Sequence, residues 1–456
     1  MDLLLTHAYF LADDPHEAQI MRPFPPLGLQ YLVAYLRREG FPATDWWDAT
    51  FHAVGDFPGV LADADPRVVG FYGHTITRPV AKGMVARAVA EGRRVVAGGP
   101  DPVQYVDEYL AMGVEVIVVG EGEITLAALM THLRANAWRW DWSTLADIDG
   151  IVFRAPDGTL VRTKPRALVR KLDTLPWPHR DQRDMDAYFT AWRARHGETA
   201  LSLTTSRGCP YHCTWCSKQV YGDTFRRRDP DAVIDELLHV RERFGPDQVW
   251  FVDDMFTINR SWVHRFSERV VARGAVTPFY LIGRPETLDV DMVAALRRAG
   301  LYRMYLSAES GAQHVLDAMR KETTLGEIER GAGLLRDAGV QIGVFVMLGY
   351  PGEEKPDILA TRDMLRRLDP EVTLLSVAHP MKGTQFYDAV QDRITGESGG
   401  RLTFDMRYSP RLYDIAQRMI WADQGLRRAV RARAPRDIVR NAVRWPVYRA
   451  AFSAIE

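Results

Sequence analysis

The chain has 456 residues, 46% of them hydrophobic, with 58 Lys and Arg against 59 Asp and Glu for a formal net charge of −1. That length and apolar content support two or three domains with sizeable cores, and the balanced charge gives no electrostatic basis for binding nucleic acid or an acidic membrane. Apolar runs such as Val344–Leu348 are broken at once by Gly349, Pro351 and Gly352, so no transmembrane segment is expected. The opening Met1-Asp-Leu-Leu-Leu lacks the basic start of an export leader. The expectation is a cytoplasmic protein without repeats or low-complexity tracts.

In chain order, Leu3–Thr6 reads as a buried strand and Leu27–Arg38 as a helix with apolar Leu29, Leu32, Val33 and Leu36, stopped at Gly40. Strands follow at Val68–Tyr72, Arg94–Ala97 and Val114–Val119, with a helix over Pro79–Glu91. Strands and helices alternating through short Gly-rich turns predict a doubly wound parallel sheet over residues 1–135. Ligands in such sheets sit at the strand carboxyl ends, which here carry Gly73-His74-Thr-Ile-Thr77, Gly98-Gly99-Pro100 and Gly120-Glu121-Gly122-Glu123. Each loop alone reads as a turn. Their order after Pro25-Pro-Leu-Gly-Leu29 resembles the cobalamin-binding domain found ahead of many radical S-adenosylmethionine (SAM) domains. The resemblance implies that Gly73, His74, Gly98, Gly99, Gly120, Glu121 and Gly122 lie along the cobalamin, with glycines admitting close backbone approach. Glu121 and Glu123 also suit the start of the following helix. The sequence departs from the cobalt-ligating Asp-x-His-x-x-Gly pattern, since Asp14-Pro-His16-Glu-Ala-Gln19 lacks the glycine; it reads as a solvated polar loop.

Residues 136–195 form a bridge with a hairpin predicted over Ile151–Arg162 about Asp157-Gly158, followed by the proline-fixed Leu172–Pro178. The alternating Trp138, Trp140 and Trp142 are expected to pack between domains.

All three cysteines fall within the run Ser206-Arg-Gly-Cys209-Pro-Tyr-His-Cys213-Thr-Trp-Cys216-Ser-Lys218. Three thiolates on one short loop suit a four-iron cluster with one iron left for a non-protein ligand. A zinc site completed by His212 or a distant histidine, or a disulfide with one thiol over, are the alternatives. His212 abuts Cys213, which turns its ring away from a metal bound there, and a disulfide suits a secreted chain. The C-x-x-x-C-x-x-C spacing with Trp215 before the last cysteine resembles the radical SAM signature. That resemblance implies a [4Fe-4S] cluster on Cys209, Cys213 and Cys216, whose open iron chelates SAM and whose electron releases a 5′-deoxyadenosyl radical.

From 196 to 395, six strands alternate with helices such as Met292–Ala299 and Leu325–Ala338: Thr199–Thr205, Gln248–Val252, Phe279–Ile282, Arg303–Leu306, Gly343–Met347 and Val372–Ser376. Six are too few to close an eight-stranded barrel and match the partial (β/α)6 TIM barrel of radical SAM enzymes. By that resemblance Asp253 and Asp254 meet the methionine amino group, Arg284 pairs with its carboxylate, Glu309 and Ser310 reach the ribose or methionine end, and Gly349 and Pro351 back the adenine. Tyr280, Tyr305, Phe345 and His379-Pro-Met-Lys382 are candidates for the substrate side. Residues 396–456 read as a helical extension rich in arginine, a solvated face or else a lid or docking patch.

The fold expected is therefore α/β, a Rossmann-like cobalamin-binding domain followed by a partial barrel and a helical C-terminal region. The resemblance is to the cobalamin-domain radical SAM family that includes C-methyltransferases and anaerobic magnesium-protoporphyrin ester cyclase. It implies C-methylation of an unactivated carbon in a small biosynthetic intermediate, with a flavodoxin- or ferredoxin-type electron donor. Oxidative cyclisation, dehydration or rearrangement is the alternative within that chemistry, and a non-enzymatic metal-binding scaffold the alternative outside it. Three cysteines leave none for auxiliary clusters.

Overall fold

The computed structural model describes residues 1–455. Its first sheet is built from short apolar runs whose two faces are both covered: β1 (Leu3–His7), β2 (Thr44–Trp47), β3 (Val68–Tyr72), β4 (Arg94–Gly98) and β5 (Val116–Val118), all parallel. Alternate residues enter different cores. Leu4, Val69, Phe71, Val95 and Ala97 pack on the side of helices 57–64, 78–90 and 106–112, while Leu3, Leu5, Val68, Val96 and Val116 meet helices 27–38 and 122–135. The strand order β2-β1-β3-β4-β5 reverses between β1 and β3, which opens a ligand crevice at the carboxyl ends there.

The predicted hairpin is present as β6 (Ile151–Arg154) and β7 (Leu160–Arg162). It continues the first sheet, with β6 antiparallel to β5, so this part of the bridge belongs to the domain before it. The three tryptophans correct another expectation: Trp140 is buried in the core beneath Leu129, Leu133 and Phe153, and Trp138 and Trp142 pack against the same cluster. They cover one end of the first domain and do not join it to the second.

The second sheet contains β8 (Ala200–Leu203), a short antiparallel pair β9 (Ser206–Arg207) and β10 (Arg226–Arg227) set apart from it, then β11 (Gln248–Phe251), β12 (Phe279–Gly283), β13 (Leu301–Glu309), β14 (Gln341–Leu348) and β15 (Val372–Val377). The six long strands run parallel in the order β15-β14-β13-β12-β11-β8 and do not close. Val249, Leu281, Met304, Leu306, Val344 and Val346 face the surrounding helices. By the two-residue alternation of a strand, Trp250, Tyr280, Tyr305 and Phe345 share the concave face, where their rings follow one another with centroids 5.5–6.2 Å apart.

Beyond β15, the hairpin β16 (Ile394–Ser398) and β17 (Arg401–Phe404) leads into helices Pro410–Arg431 and Pro435–Ala454. Leu412, Ala416, Met419, Ile420 and Phe452 complete the barrel's outer core. Gln424 donates to the Thr373 hydroxyl at 2.7 Å and Gln417 to the Leu375 carbonyl at 3.2 Å, so this tail covers the edge strand. Its arginines 427, 428, 431, 433, 436, 440 and 444 are exposed. No described helix is long and apolar enough to cross a membrane.

Candidate functional site

The cysteine loop is held from behind by one carboxylate. Asp253, at the end of β11 and 1% exposed, accepts from the Thr205 amide at 2.6 Å, the Ser206 amide at 2.8 Å, the Thr204 hydroxyl at 3.0 Å and the Thr205 hydroxyl. Its oxygens are thus committed to the chain leading into Cys209, and Asp253 positions the loop in place of the cofactor contact expected of it. Gly208 has φ +84°, and a Cβ there would collide with the Thr224 carbonyl, so only glycine serves just before Cys209. Past Cys209, Tyr211 lies under the Arg284 guanidinium at 3.6 Å. Thr214 is tied to the Met319 carbonyl at 3.1 Å through its amide and to the Tyr350 hydroxyl at 2.5 Å, and the Cys216 amide closes a turn on the Cys213 carbonyl at 3.2 Å.

All three thiols are free. Burial raises Cys209, and the crowding of surrounding protein followed by Cys213 and Asp254 pushes Cys216, whose side chain is open to solvent, to about 11; these sulfurs give up their protons on binding a cation. Among the described residues no three His, Cys, Asp or Glu side chains converge on one point as a single ion requires. A cubane places each sulfur on a separate iron, and the donor set of three clustered thiols fits it.

The other predicted cofactor residues divide. Asp254 faces the loop, its carboxyl raised by burial and then by Asp253. Glu309 takes a left-handed backbone at φ 61° where β13 bulges, and its carboxylate holds buried Lys321 at 3.2 Å; Lys321 lies 5.2 Å over Trp215. Arg284, 1% exposed, donates through Nε to Glu286 and through Nη2 to the carbonyls of Lys321 and Glu322, so it braces the loop. Ser310 is fully buried and receives the Ala312 amide at 3.2 Å, a turn role and not a ligand contact. Gly349, at φ +79°, donates its amide to Glu353 below Pro351.

Glu353 has a measurable consequence. Burial, opposed by the Gly349 amide and helped by Asp357, pushes its carboxyl up to about 8. A carboxyl raised on folding favours the native state below its unfolded value, and that contribution fades as pH rises through the folded value. Stability of the native chain is expected to fall between about pH 5 and pH 8 through this group, and Glu353→Gln to flatten that slope in denaturant titrations across the same range.

The second half of the site is a cavity of 390 Å³ between the domains. Its floor is the strand ends Gly70–Tyr72, Val96–Gly99 and Val118 with Gly28 and Gly120–Glu123; its roof is Ser206, Arg207, Val220, Tyr221 and Asp254 from the cysteine loop side. At Gly99, φ +104°, a Cβ would lie 2.6 Å from the Gly73 carbonyl. Of the residues expected here, Gly98, Gly99, Gly120, Glu121 and Gly122 line the cavity. Gly73 is packed under Pro102 and Tyr109, and His74 opens on an adjoining cavity of 230 Å³ with His7, Tyr9 and Thr50. His16 lies exposed beside Glu17, as a solvated residue.

Glu121 and Glu123 do not spend their charge on the helix they begin. Arg207 donates to Glu121 at 2.7 Å and to Glu123 at 2.5 Å, Arg226 reaches Glu121 at 2.8 Å, and the Val169 amide completes Glu121 at 2.8 Å. These side chains are at most 10% exposed, so an ion network locks the cavity floor to the cysteine loop. The sequence reading passed over Arg207 and Arg226; the signal was Arg207 two residues before Cys209 and the run Arg226-Arg-Arg228 in a chain without a basic partner surface.

A family model of the radical SAM superfamily matches residues 203–365 and one of the B12 binding domain matches residues 18–130. The chain is 27% identical over 373 residues to an uncharacterized methyltransferase of Pyrococcus horikoshii, covering 80% of this chain and 78% of that one. It is 25% identical over 387 residues to the anaerobic magnesium-protoporphyrin IX monomethyl ester cyclase of Rubrivivax gelatinosus, covering 83% and 68%. In fold it resembles the radical SAM methyltransferase TsrM of Kitasatospora setae with cobalamin and [4Fe-4S] bound (TM-score 0.70, 19% identity, 87% of this chain, 76% of that one). It also resembles the cobalamin-dependent radical enzyme OxsB (TM-score 0.76, 16% identity, 94% and 68%). The chain is an enzyme of the cobalamin-binding-domain radical SAM family. Its cofactors are accordingly a [4Fe-4S] cluster, SAM and cobalamin. The thiol loop fits the first, and the glycine-floored crevice at the strand ends fits the last.

Proposed function

We propose that this enzyme methylates an unactivated carbon of a small biosynthetic intermediate. The observation that carries the reading is the shared wall: Ser206, Arg207, Tyr221 and Asp254 belong to the cysteine loop's surroundings and also roof the glycine-floored cavity. A radical formed beside the cysteine loop and a methyl donor held by the first domain would then address one chamber, whose walls keep much of the surrounding water from a reactive carbon. When bound, the cluster supplies the electron that cleaves SAM and cobalamin supplies the methyl group. Cys209, Cys213 and Cys216 hold the cluster in this reading. Asp254, Glu309 and the Gly349–Pro351 backbone flank SAM, with Trp215 packed behind. Gly98, Gly99, Gly120 and Gly122 pass the cobalamin. A flavodoxin- or ferredoxin-type donor supplies the electron, in the cytoplasm.

Relatives that are methyltransferases, of bacteriochlorophyllide d at C-12(1) and of hopanoids at C-3, support methyl transfer. The cyclase relatives favour a second reading, oxidative ring closure without methyl transfer. Anaerobic turnover with methyl-labelled SAM separates them: label in a product carbon supports methylation, while 5′-deoxyadenosine without label in product supports cyclisation.

A further inference from the structure

The last helix, Pro435–Ala454, is bound to the molecule by one face only. Asn441 packs on Gly425 of the preceding helix so closely that a Cβ there would lie 3.0 Å away, and Trp445, Tyr448 and Phe452 join the barrel's outer core. That orientation fixes what is left outside. Val439, Val443 and Val447 are 64%, 63% and 60% exposed, and Pro446 and Ala450 are exposed with them. At about 3.6 residues per turn, the three valines and Ala450 fall within about 80° of one another. They form one apolar stripe, unlike the single surface apolar residues that need no explanation.

The stripe is edged by positive charge. By the same helical spacing Arg440 and Arg444 lie along one side, Arg449 along the other, and Arg436 at its start. From Arg427 to Arg449 the chain carries eight arginines and one acidic residue, Asp437, a local excess that the net charge of −1 conceals. Asp437 is taken by Arg440 at 2.9 Å. Arg433, Arg436, Arg444 and Arg449 form no ion pair among the described residues. An exposed aliphatic stripe bordered by unpaired arginines is the pattern of a helix lying in a membrane interface, its apolar side among acyl chains and its cations on anionic headgroups. A second copy stacked stripe on stripe would set the arginines of one chain against those of the other. Protein partners are gripped by aromatic anchors, Trp and Tyr above all, and the stripe holds none.

We propose that this face of the last helix seats the enzyme on an anionic lipid bilayer. The arginines draw the helix to the headgroups, and the valines enter the boundary beneath them. None of these residues lines the cavity between the domains, so the surface can be altered without touching the site.

The test floats reconstituted holoenzyme, kept free of oxygen, with vesicles of phosphatidylcholine and phosphatidylglycerol in a three-to-one ratio, and separately with phosphatidylcholine alone. Flotation with the mixed vesicles only is expected, lost as salt rises toward about 1 M, where charges are screened within about 3 Å. At about fivefold in affinity for each arginine near the headgroups, R436Q/R440Q/R444Q should bind roughly a hundredfold more weakly. V439D/V443D/V447D should also lose the vesicles. Both variants are expected to keep the native circular dichroism spectrum and native 5′-deoxyadenosine formation, which separates a lost surface from a lost fold. If the aspartates unfold the chain, the arginine variant decides alone. No flotation of the native enzyme, equal flotation with phosphatidylcholine alone, or native binding in either variant would overturn the proposal. So would a dimer in sedimentation velocity, or binding to purified flavodoxin, that V439D/V443D/V447D abolishes while vesicles go unbound. Those outcomes assign the face to a second copy or to an acidic protein.

Discussion

Arg207→Met is expected to cost the apo-protein about 3–5 kcal/mol of stability in urea titrations, the range for breaking one side of a buried ion pair. The guanidinium is 6% exposed and binds two carboxylates, Glu121 and Glu123, that are equally buried. Removing it leaves Glu123 without its partner and Glu121 with Arg226 alone. Methionine fills much of the volume, so the loss measures charge more than packing. If that is the cause, Glu121→Gln and Glu123→Gln introduced together with Arg207→Met should recover most of the stability, because replacing every member of a buried network is often nearly neutral. A loss under about 1 kcal/mol for the single variant, or no recovery in the triple variant, would show that the network does not join the domains as its geometry indicates.

Asp253→Ala is expected to be of similar size and to act on the metal site as well. The Thr205 and Ser206 amides lose their acceptor, and Arg227, 3.8 Å away, loses its only carboxylate among the described residues. Burial already holds that guanidinium down to about 10. Two buried amides at about 1–3 kcal/mol each would alone reach about 2–6 kcal/mol. Asparagine at this position keeps one carbonyl acceptor but faces an N–H with its own NH2, so an intermediate loss is expected. Iron and sulfide retained per chain after reconstitution provide the second readout, and should fall in the order native, Asn, Ala. Full iron content in the alanine variant would separate loop geometry from Asp253.

The strands of the barrel were legible because each is an apolar run ending on a turn residue, such as Gln248–Phe251 before Asp253 or Gln341–Leu348 before Gly349. The edge strand β2 was not: Thr-Asp-Trp-Trp is short, and its alternation is weak. Trp138, Trp140 and Trp142 misled because an every-other spacing suggests an extended stripe, whereas the chain turns through positive φ at Trp138 and starts a helix at Trp142. The cysteines announced their chemistry since no other residue type substitutes for a thiolate. The charged strand-end residues did not, because the side-chain type at a strand end fixes neither direction nor partner. Asp253 and Arg284 point into the loop they support, and Asp254 and Glu309 stand at its front. That distinction depends on which neighbour each meets in three dimensions.

The central claim is that Cys209, Cys213 and Cys216 carry a cluster whose electron cleaves SAM. Its most direct measurement is iron and sulfide content together with 5′-deoxyadenosine formation after oxygen-free reconstitution and reduction, for the native enzyme and for the variant with all three cysteines changed to alanine. About four irons per chain and reductant-dependent 5′-deoxyadenosine in the native enzyme, both lost in the variant, are predicted. A native chain that takes up no cluster, or a variant that still cleaves SAM, would contradict the account.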